Sequence, residues 1–287
     1  MISKFSSVNK LIMRSILTCL YRSPNRRFTA TSTTRNRTHF GFQNVSEQEK
    51  AHRVNEVFSN VAQKYDLMND VMSVGIHRLW KNHFVAQLLE KNCIDQSLRM
   101  LDVAGGTGDI ATRIIERYGD FADVTLLDIN KEMLEYGQQH SLKNKQVNFV
   151  LGNAEDLPFE NDQFDVYTIA FGIRNCVHIE KVIDEALRVL KLGGKFCCLE
   201  FSQFEGIWPL NQLYEWYSLN IIPVMGELIA DDFKSYKYLV ESIRQFPNQH
   251  DFCEIIKSRG FTEVRYENLS CGIAAITTGY KTSSKTN

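Results

Sequence analysis

Between Leu98 and Ser202 short apolar runs alternate with amphipathic ones. RMLDVA reads as a strand, Asp109–Tyr118 as a helix, DVTLLDI as a strand and Lys131–Leu142 as a helix. QVNFVLG and FDVYTIAFG are further strands. Ile179–Leu190 is a helix closed by LGGK, and KFCCLEFS is the fifth strand. Strands alternating with helices predict an α/β fold, a mostly parallel sheet covered on both faces. Ligands of such sheets sit at the carboxyl ends of the strands.

The flanking segments follow other rhythms. Folded sequence is expected from about His39. A helix over 46–64 carries Val54, Val57, Phe58 and Val61 at helical spacing, and Ser46 with Glu49 offers a capping box. A turn near Met72–Gly75 leads to a second helix from Ile76 to about Glu90. Residues 207–246 form an aromatic, helix-prone insert, rich in residues such as Trp208, Leu213, Tyr214, Trp216 and Met225. A helix near Asn248–Arg259 and the strands FTEVRYENL and GIAAITTGY close the fold; their short join at Ser270–Gly272 predicts an antiparallel pair at the sheet edge.

Charge divides the chain. Residues 1–38 hold eight Lys and Arg and no acid, leaving −9 on the remainder of a chain whose net charge is −1. An acid-free leader rich in Arg, Ser and Thr has the composition of a mitochondrial presequence. The acidic remainder argues against a nucleic-acid groove, and nothing after the leader reaches the ~20 apolar residues of a membrane span. The seven cysteines form no C-x-x-C pair and no cluster with zinc spacing, so buried, reduced thiols are expected and a metal site is not.

The chemistry concentrates in LDVAGGTGDIA. Gly106, Gly108 and Ala111 satisfy G-x-G-x-x-A, and Asp128 lies twenty residues beyond Gly108, so spacing alone admits a dinucleotide-binding oxidoreductase. Charge favours another ligand. Asp102 precedes the glycines and Asp109 follows them, and opposed carboxylate and phosphate at ~5 Å cost on the order of a kcal/mol or more. A sulfonium carrying a free ammonium group suits the same acids, which points to S-adenosylmethionine. Asp128 then holds the ribose hydroxyls, and Asn153, Ala154, Glu155 and Asp156 follow strand three where adenine needs partners. Phe171 to Asn175 follow strand four, where the methyl group should face its acceptor.

LDVAGGTGDIA, DINKEML, GNAEDLPF, FGIRN, RVLKLGGKFCCLEFS and YLVESIRQFP together resemble the methyltransferase family of ubiquinone and menaquinone synthesis. YDLMNDVMS at 65–73, FGIRN at 171–175 and SYKYLVESI at 235–243 are the specific part, and the likeness runs from THFGF at 38–42 to GYK at 279–281. The resemblance implies a seven-stranded class I S-adenosylmethionine-dependent methyltransferase fold with one antiparallel edge strand. It divides the chain into a leader (1–38), a catalytic domain (39–281) and a tail (282–287). Within the domain lie front-end helices (39–97), a cofactor-binding core (98–206), a substrate-side insert (207–246) and a closing helix with strands (247–281). It implies methyl transfer to a ring carbon of a methoxy-polyprenyl-benzoquinol, with methylation of another quinol or a mainly structural role in a quinone-synthesis complex as alternatives. Thr107, Asp128, Asn153 and Ala154 match the family's cofactor contacts, with Asp102, Gly105, Gly106 and Gly108 beside them. Ala170 replaces a serine of the bacterial relatives, and Leu192 replaces the usual proline of the LKPGG turn.

A quinol carbon attacks only as its ring oxygen loses a proton, so the site needs a cation or a base relay. Arg174 is the expected stabiliser of that oxygen and Asn175 its orienter; Tyr65, Asp66 and Glu200 are weaker candidates. Glu200 pairing with Arg174 or Lys195 is the plain structural account. The insert offers either a wall for an isoprenoid tail or a homodimer contact. Implied partners are the polyprenyl-benzoquinol, other subunits of a ubiquinone-synthesis complex and, peripherally, the matrix side of the mitochondrial inner membrane.

Overall fold

The computed structural model describes residues 37–61, 69–70, 73, 75–89, 97–143, 145–205, 210–230 and 232–283. Tyr65 and Asp66 lie outside them, as do most of the leader and Trp208; the side chains of Leu213, Tyr214 and Met225 are likewise not described.

The elements are β1 (Arg37–Phe40), β2 (Gln43–Ser46), α1 (Glu47–Val61), α2 (Ile76–Ala86), β3 (Leu98–Val103), α3 (Asp109–Tyr118), β4 (Ala122–Asp128), α4 (Lys131–Gln139), β5 (Val147–Leu151), β6 (Phe164–Ala170), α5 (Ile179–Val189) and β7 (Leu190–Phe201). Then come α6 (Leu210–Asn220), α7 (Ile222–Ala230), α8 (Phe233–Gln245), α9 (Gln249–Ser258), β8 (Thr262–Leu269) and β9 (Ala274–Tyr280). Seven strands form one sheet in the order β5-β4-β3-β6-β7-β9-β8. All neighbours are parallel until β9, which runs antiparallel to both β7 and β8. The single antiparallel strand therefore sits beside the edge, inserted by the short β8–β9 turn.

Period-two alternation builds the two faces. Met100, Val124, Leu126, Val166, Cys197 and Leu199 enter one buried cluster; Leu101, Val103, Leu127, Tyr167, Ile169 and Cys198 enter the other. Strand order reverses between β3 and β6, which opens a crevice beyond their carboxyl ends.

Three expectations are corrected. The segment expected to lead straight into the first helix instead forms a β1–β2 hairpin, which lacks any long apolar run to announce it. Phe40 stacks on Tyr238 at 4.1 Å, and the Phe42 amide donates to Glu241 at 3.1 Å, so tertiary contact with α8 holds the hairpin. Gly41 has φ +56°, and a Cβ there would meet the Glu241 carboxylate. The helix at 76 ends at Ala86 and the one at 131 ends at Gln139, short of Glu90 and Leu142. LGGK, expected to close a helix, lies inside β7: the Gly193 amide donates to the Lys281 carbonyl at 2.7 Å and the Lys281 amide to that of Gly194 at 3.0 Å.

Ser46 does cap α1, its hydroxyl accepting from the Glu49 amide at 3.1 Å. Ser46→Ala is expected to lower stability by about 1 kcal/mol in denaturant titrations. Of the cysteines described, Cys197, Cys198 and Cys253 are buried free thiols, whereas Cys271 is exposed. No helix among the described residues is long and apolar enough to cross a membrane.

Candidate active site

The crevice holds a cavity of about 370 Å³. Every expected cofactor residue, Asp102, Gly105, Gly106, Thr107, Asp128, Asn153 and Ala154, lines it, apart from Gly108. Gly108 instead caps α3 at φ +84°, where a Cβ would lie 2.3 Å from Leu142. Two non-glycine residues at the crevice, Ala104 and Phe171, also have positive φ, 51° and 56°. Backbone strain of this kind is sustained where surrounding contacts over-determine it.

Asp102, next to last in β3, is fully buried. Parallel pairing places it opposite Thr168, whose hydroxyl donates to Oδ1 at 2.8 Å. Oδ2 has no hydrogen-bond partner. Burial pushes its carboxyl up to about 7, against the pull of Thr168 and the Ala111 amide. Asp128 ends β4 and is held by two amides, Gly106 N–H to Oδ2 and Asn130 N–H to Oδ1, both at 2.8 Å. Burial raises it too. Both carboxylates retain lone pairs for a ligand, and an orphaned buried acceptor such as Asp102 Oδ2 matches an ammonium group. Asn153, which also lines the cavity, accepts from the Glu155 amide through its Oδ1 at 3.0 Å.

Asp109 does not act as the expected repulsive charge. Its oxygens accept from Lys81 at 2.7 Å and Arg113 at 2.9 Å, and against burial these cations hold its carboxyl below the usual range. Lys81 is itself buried, lines the cavity, and lies 6.0 Å from the Phe171 ring centre. Sequence reasoning missed it, because α2 gave no sign of reaching the glycine turn; its spacing from Trp80 and Phe84 on one helix face was the available signal.

The roof was also missed. Ala51, Val54, Asn55 and Phe58 of α1 line the cavity. The buried Lys50 donates to the Cys176 carbonyl at 2.6 Å, and Asn130 donates to Asn55 at 2.8 Å. His178 links Glu47 of α1 to Glu155, at 3.3 and 2.8 Å. The Val54–Phe58 stripe was legible as apolar, but not its occupation of a ligand cavity rather than the core.

Arg174 departs from the expected picture. It lies in a 3-10 turn, Ile173–Asn175, and lines neither this cavity nor the neighbouring one. Its guanidinium donates to Glu200 at 2.8 Å, to the Phe171 carbonyl at 2.6 Å and to Ser242 at 3.3 Å. Glu200, buried at the end of β7, is raised by burial and pulled back by Arg174. This pair straps the turn in place. Asn175 does line the cavity; its Oδ1 accepts from the Tyr238 hydroxyl at 3.0 Å.

Beyond Phe171 a second cavity, about 640 Å³, lies between α2, the end of β7 and the insert helices. Trp80, Phe201, Ile222, Leu239 and Ile243 give it an apolar wall. Phe171 and Phe201, one on each cavity, touch with ring centres 4.6 Å apart.

Solved structures place the fold. A SAM-dependent methyltransferase of Thermotoga maritima, 18% identical, matches 79% of this chain and 99% of its own with a TM-score of 0.56. The [4+2]-cyclase SpnF matches 71% of this chain and 81% of its own, 17% identical, with a TM-score of 0.52. One fold thus carries more than one chemistry, and sequence must narrow it. The mitochondrial 2-methoxy-6-polyprenyl-1,4-benzoquinol methylase of Caenorhabditis elegans is 50% identical over 85% of both chains. Its Homo sapiens counterpart is 48% identical over 85% of this chain and 84% of its own. The ubiquinone/menaquinone biosynthesis C-methyltransferase UbiE of Brucella abortus is 51% identical over 84% and 90%. Residues 44–281, from the second strand of the opening hairpin to the end of the sheet, match one family model along their whole length: the chain belongs to the ubiE/COQ5 methyltransferase family.

Proposed function

We propose that this protein transfers a methyl group from S-adenosylmethionine to a ring carbon of a methoxy-polyprenyl-benzoquinol in mitochondrial ubiquinone synthesis. The observation that carries the reading is the pair of adjoining cavities. One presents the orphaned Asp102 carboxylate and the amide-oriented Asp128. The other has an apolar wall of Trp80, Phe201, Ile222, Leu239 and Ile243. When bound, the sulfonium donor supplies an electrophilic methyl group. Asp102 Oδ2 accepts from the donor's ammonium group, Asp128 from its ribose hydroxyls, and Asn153 with Ala154 borders the adenine. α1 excludes water from above.

Phe171 and Phe201 stack against the quinol ring at the junction, and Asn175 borders the cofactor side. Arg174 is a positioning residue here, fixing the carbonyl and φ of Phe171. The isoprenoid tail follows Ile222, Leu239 and Ile243, at roughly 0.8 kcal/mol per buried CH₂. The basic leader and the mitochondrial relatives support a matrix location. A chain that works on a lipid while showing no spanning helix among its described residues meets the inner membrane peripherally. Subunits of a quinone-synthesis complex are then its natural neighbours.

The test is incubation of the full chain with deuteromethyl S-adenosylmethionine and a demethyl benzoquinol. Mass spectrometry should find one labelled methyl on ring carbon. Label on oxygen, or none, ends the proposal.

A further inference from the structure

His77 sits on α2 one turn before Lys81, buried in the wall of the apolar cavity. Its Nε2 lies 2.8 Å from Oδ1 of Asp70, and that carboxylate also accepts from Arg78 at 2.6 and 2.5 Å. Asp70 is therefore held well below the usual carboxylate range, chiefly by Arg78 and His77, and stays ionised. An ionised acceptor on Nε2 selects the tautomer with the proton there. Nδ1 is then a bare lone pair, buried, with no hydrogen-bond partner. A buried acceptor left open beside an oriented ring is the arrangement of a general base whose carboxylate partner fixes it.

We propose that the Asp70–His77 dyad is the general base for the reaction, with His77 Nδ1 taking the quinol proton. It rests on the quinol reading above. His77 Nδ1 accepts the proton of the ring hydroxyl; the oxygen's electron pair moves into the ring, whose nucleophilic carbon takes the methyl. The carbon–sulfur bond breaks with its electrons going to sulfur, leaving a neutral thioether. The ring carbon then releases its hydrogen as a proton to solvent, aromaticity returns, and His77 gives its proton back to the ring oxygen. One proton is produced per methyl transferred.

The surroundings suit that task. Burial lowers His77 from its ordinary value more than Asp70 raises it, so the ring is neutral at matrix pH. Lys81 lowers it further and Asp109 opposes. Arg244 and Tyr217 line the same cavity from the insert helices. Trp80 and Phe201, both on that cavity, lie with ring centres 6.3 Å apart, and Phe201 touches Phe171 of the cofactor cavity. The dyad thus stands one helical turn, ~6 Å, from the lysine that borders the methyl donor.

The experiment uses the full chain, S-adenosylmethionine and a short-tailed demethyl benzoquinol. His77→Gln should lower kcat about 100-fold or more, with S-adenosylhomocysteine affinity unchanged because His77 lies outside the cofactor cavity. It should also abolish the acid limb of the kcat profile. A ring-fluorinated quinol, which ionises more readily, should recover the variant more than it speeds the parent. Asp70→Asn removes a charge that raises His77, so its acid limb should move to lower pH. In the ligand-free protein, nitrogen-detected NMR should find the Nε2-protonated tautomer at neutral pH. A kcat within threefold of the parent, an intact acid limb, an unmoved limb in Asp70→Asn, no recovery by the fluorinated quinol, or the Nδ1-protonated tautomer each overturns the dyad. If His77→Gln does not fold, the limb of Asp70→Asn and the tautomer decide. Failure of the parent to methylate the quinol instead overturns the proposed function.

Discussion

Asp102→Asn makes the ligand-free protein more stable and the cofactor site nearly useless. The carboxyl stands near 3.8 in the unfolded chain and about 7 in the fold. Between those values the native state binds more protons, so wild-type stability falls as pH rises from about 4 to 7, and the penalty is complete above 7. At 1.36 kcal/mol per pH unit the full penalty approaches ~4 kcal/mol, or roughly 10 °C in Tm for a chain of this size. Asn keeps the shape and a partner for the Thr168 hydroxyl, and it carries no charge. The advantage of the variant over wild type should therefore be absent near pH 4 and largest at pH 8.

Binding reverses the account. An ammonium group against Asp102 Oδ2 makes a charge-assisted hydrogen bond, so losing the carboxylate should weaken S-adenosylhomocysteine roughly 10- to 100-fold. Wild-type affinity should rise with pH toward 7 as Asp102 ionises, then fall beyond ~8 as the ligand's amine deprotonates. Calorimetric titration and thermal melts across pH 4–9 check both halves. A variant whose Tm advantage does not grow with pH, or whose affinity matches wild type, removes Asp102 from the ammonium site.

What the sequence revealed and what it hid divide along physical lines. The core was legible because β3, β4, β6 and β7 are buried on both faces and read as apolar runs with glycine punctuation. Asp102 and Asp128 were legible because each is an acid at the carboxyl end of such a run. β1 and β2 were hidden, since four-residue strands with mostly exposed side chains carry almost no periodic signal. Lys81 and Lys50 were hidden for another reason. Each is a lysine on an amphipathic helix, ordinarily a solvated position, and only tertiary packing reveals that its ammonium is sequestered on Asp109 or on the Cys176 carbonyl. Asp109 shows the same limit from the opposite side. Its position in the motif predicted free negative charge, while two partners distant in sequence or a turn away consume it. Arg174 was correctly placed on the loop after β6, but a sequence cannot show which way a long side chain turns.

That direction makes Arg174→Ala the most damaging substitution expected here. Glu200 accepts from Arg174 and from the Phe201 amide at 2.8 Å each, and it has no solvent to fall back on. Removing the guanidinium leaves a buried carboxylate unpaired, which costs about 3–5 kcal/mol. With the guanidinium gone, burial raises Glu200 further, opposed only by the backbone amides of residues 174 and 201. The fold then binds a proton that the unfolded chain releases above its ordinary 4.5, so the loss should grow as pH climbs past that value. Arg174→Met combined with Glu200→Leu removes both charges and should recover much of the deficit, although each single change is severe. Turnover should not recover with it. The Phe171 carbonyl loses its 2.6 Å donor in the double variant as well, and Phe171, held at positive φ on the cavity wall, is then free to relax. The double variant should accordingly bind S-adenosylhomocysteine nearly as wild type while turning over the quinol at least tenfold more slowly. Denaturant titration gives the first comparison and steady-state kinetics the second. If the double variant regains both stability and full turnover, the strap holds the fold alone and positions nothing in the reaction.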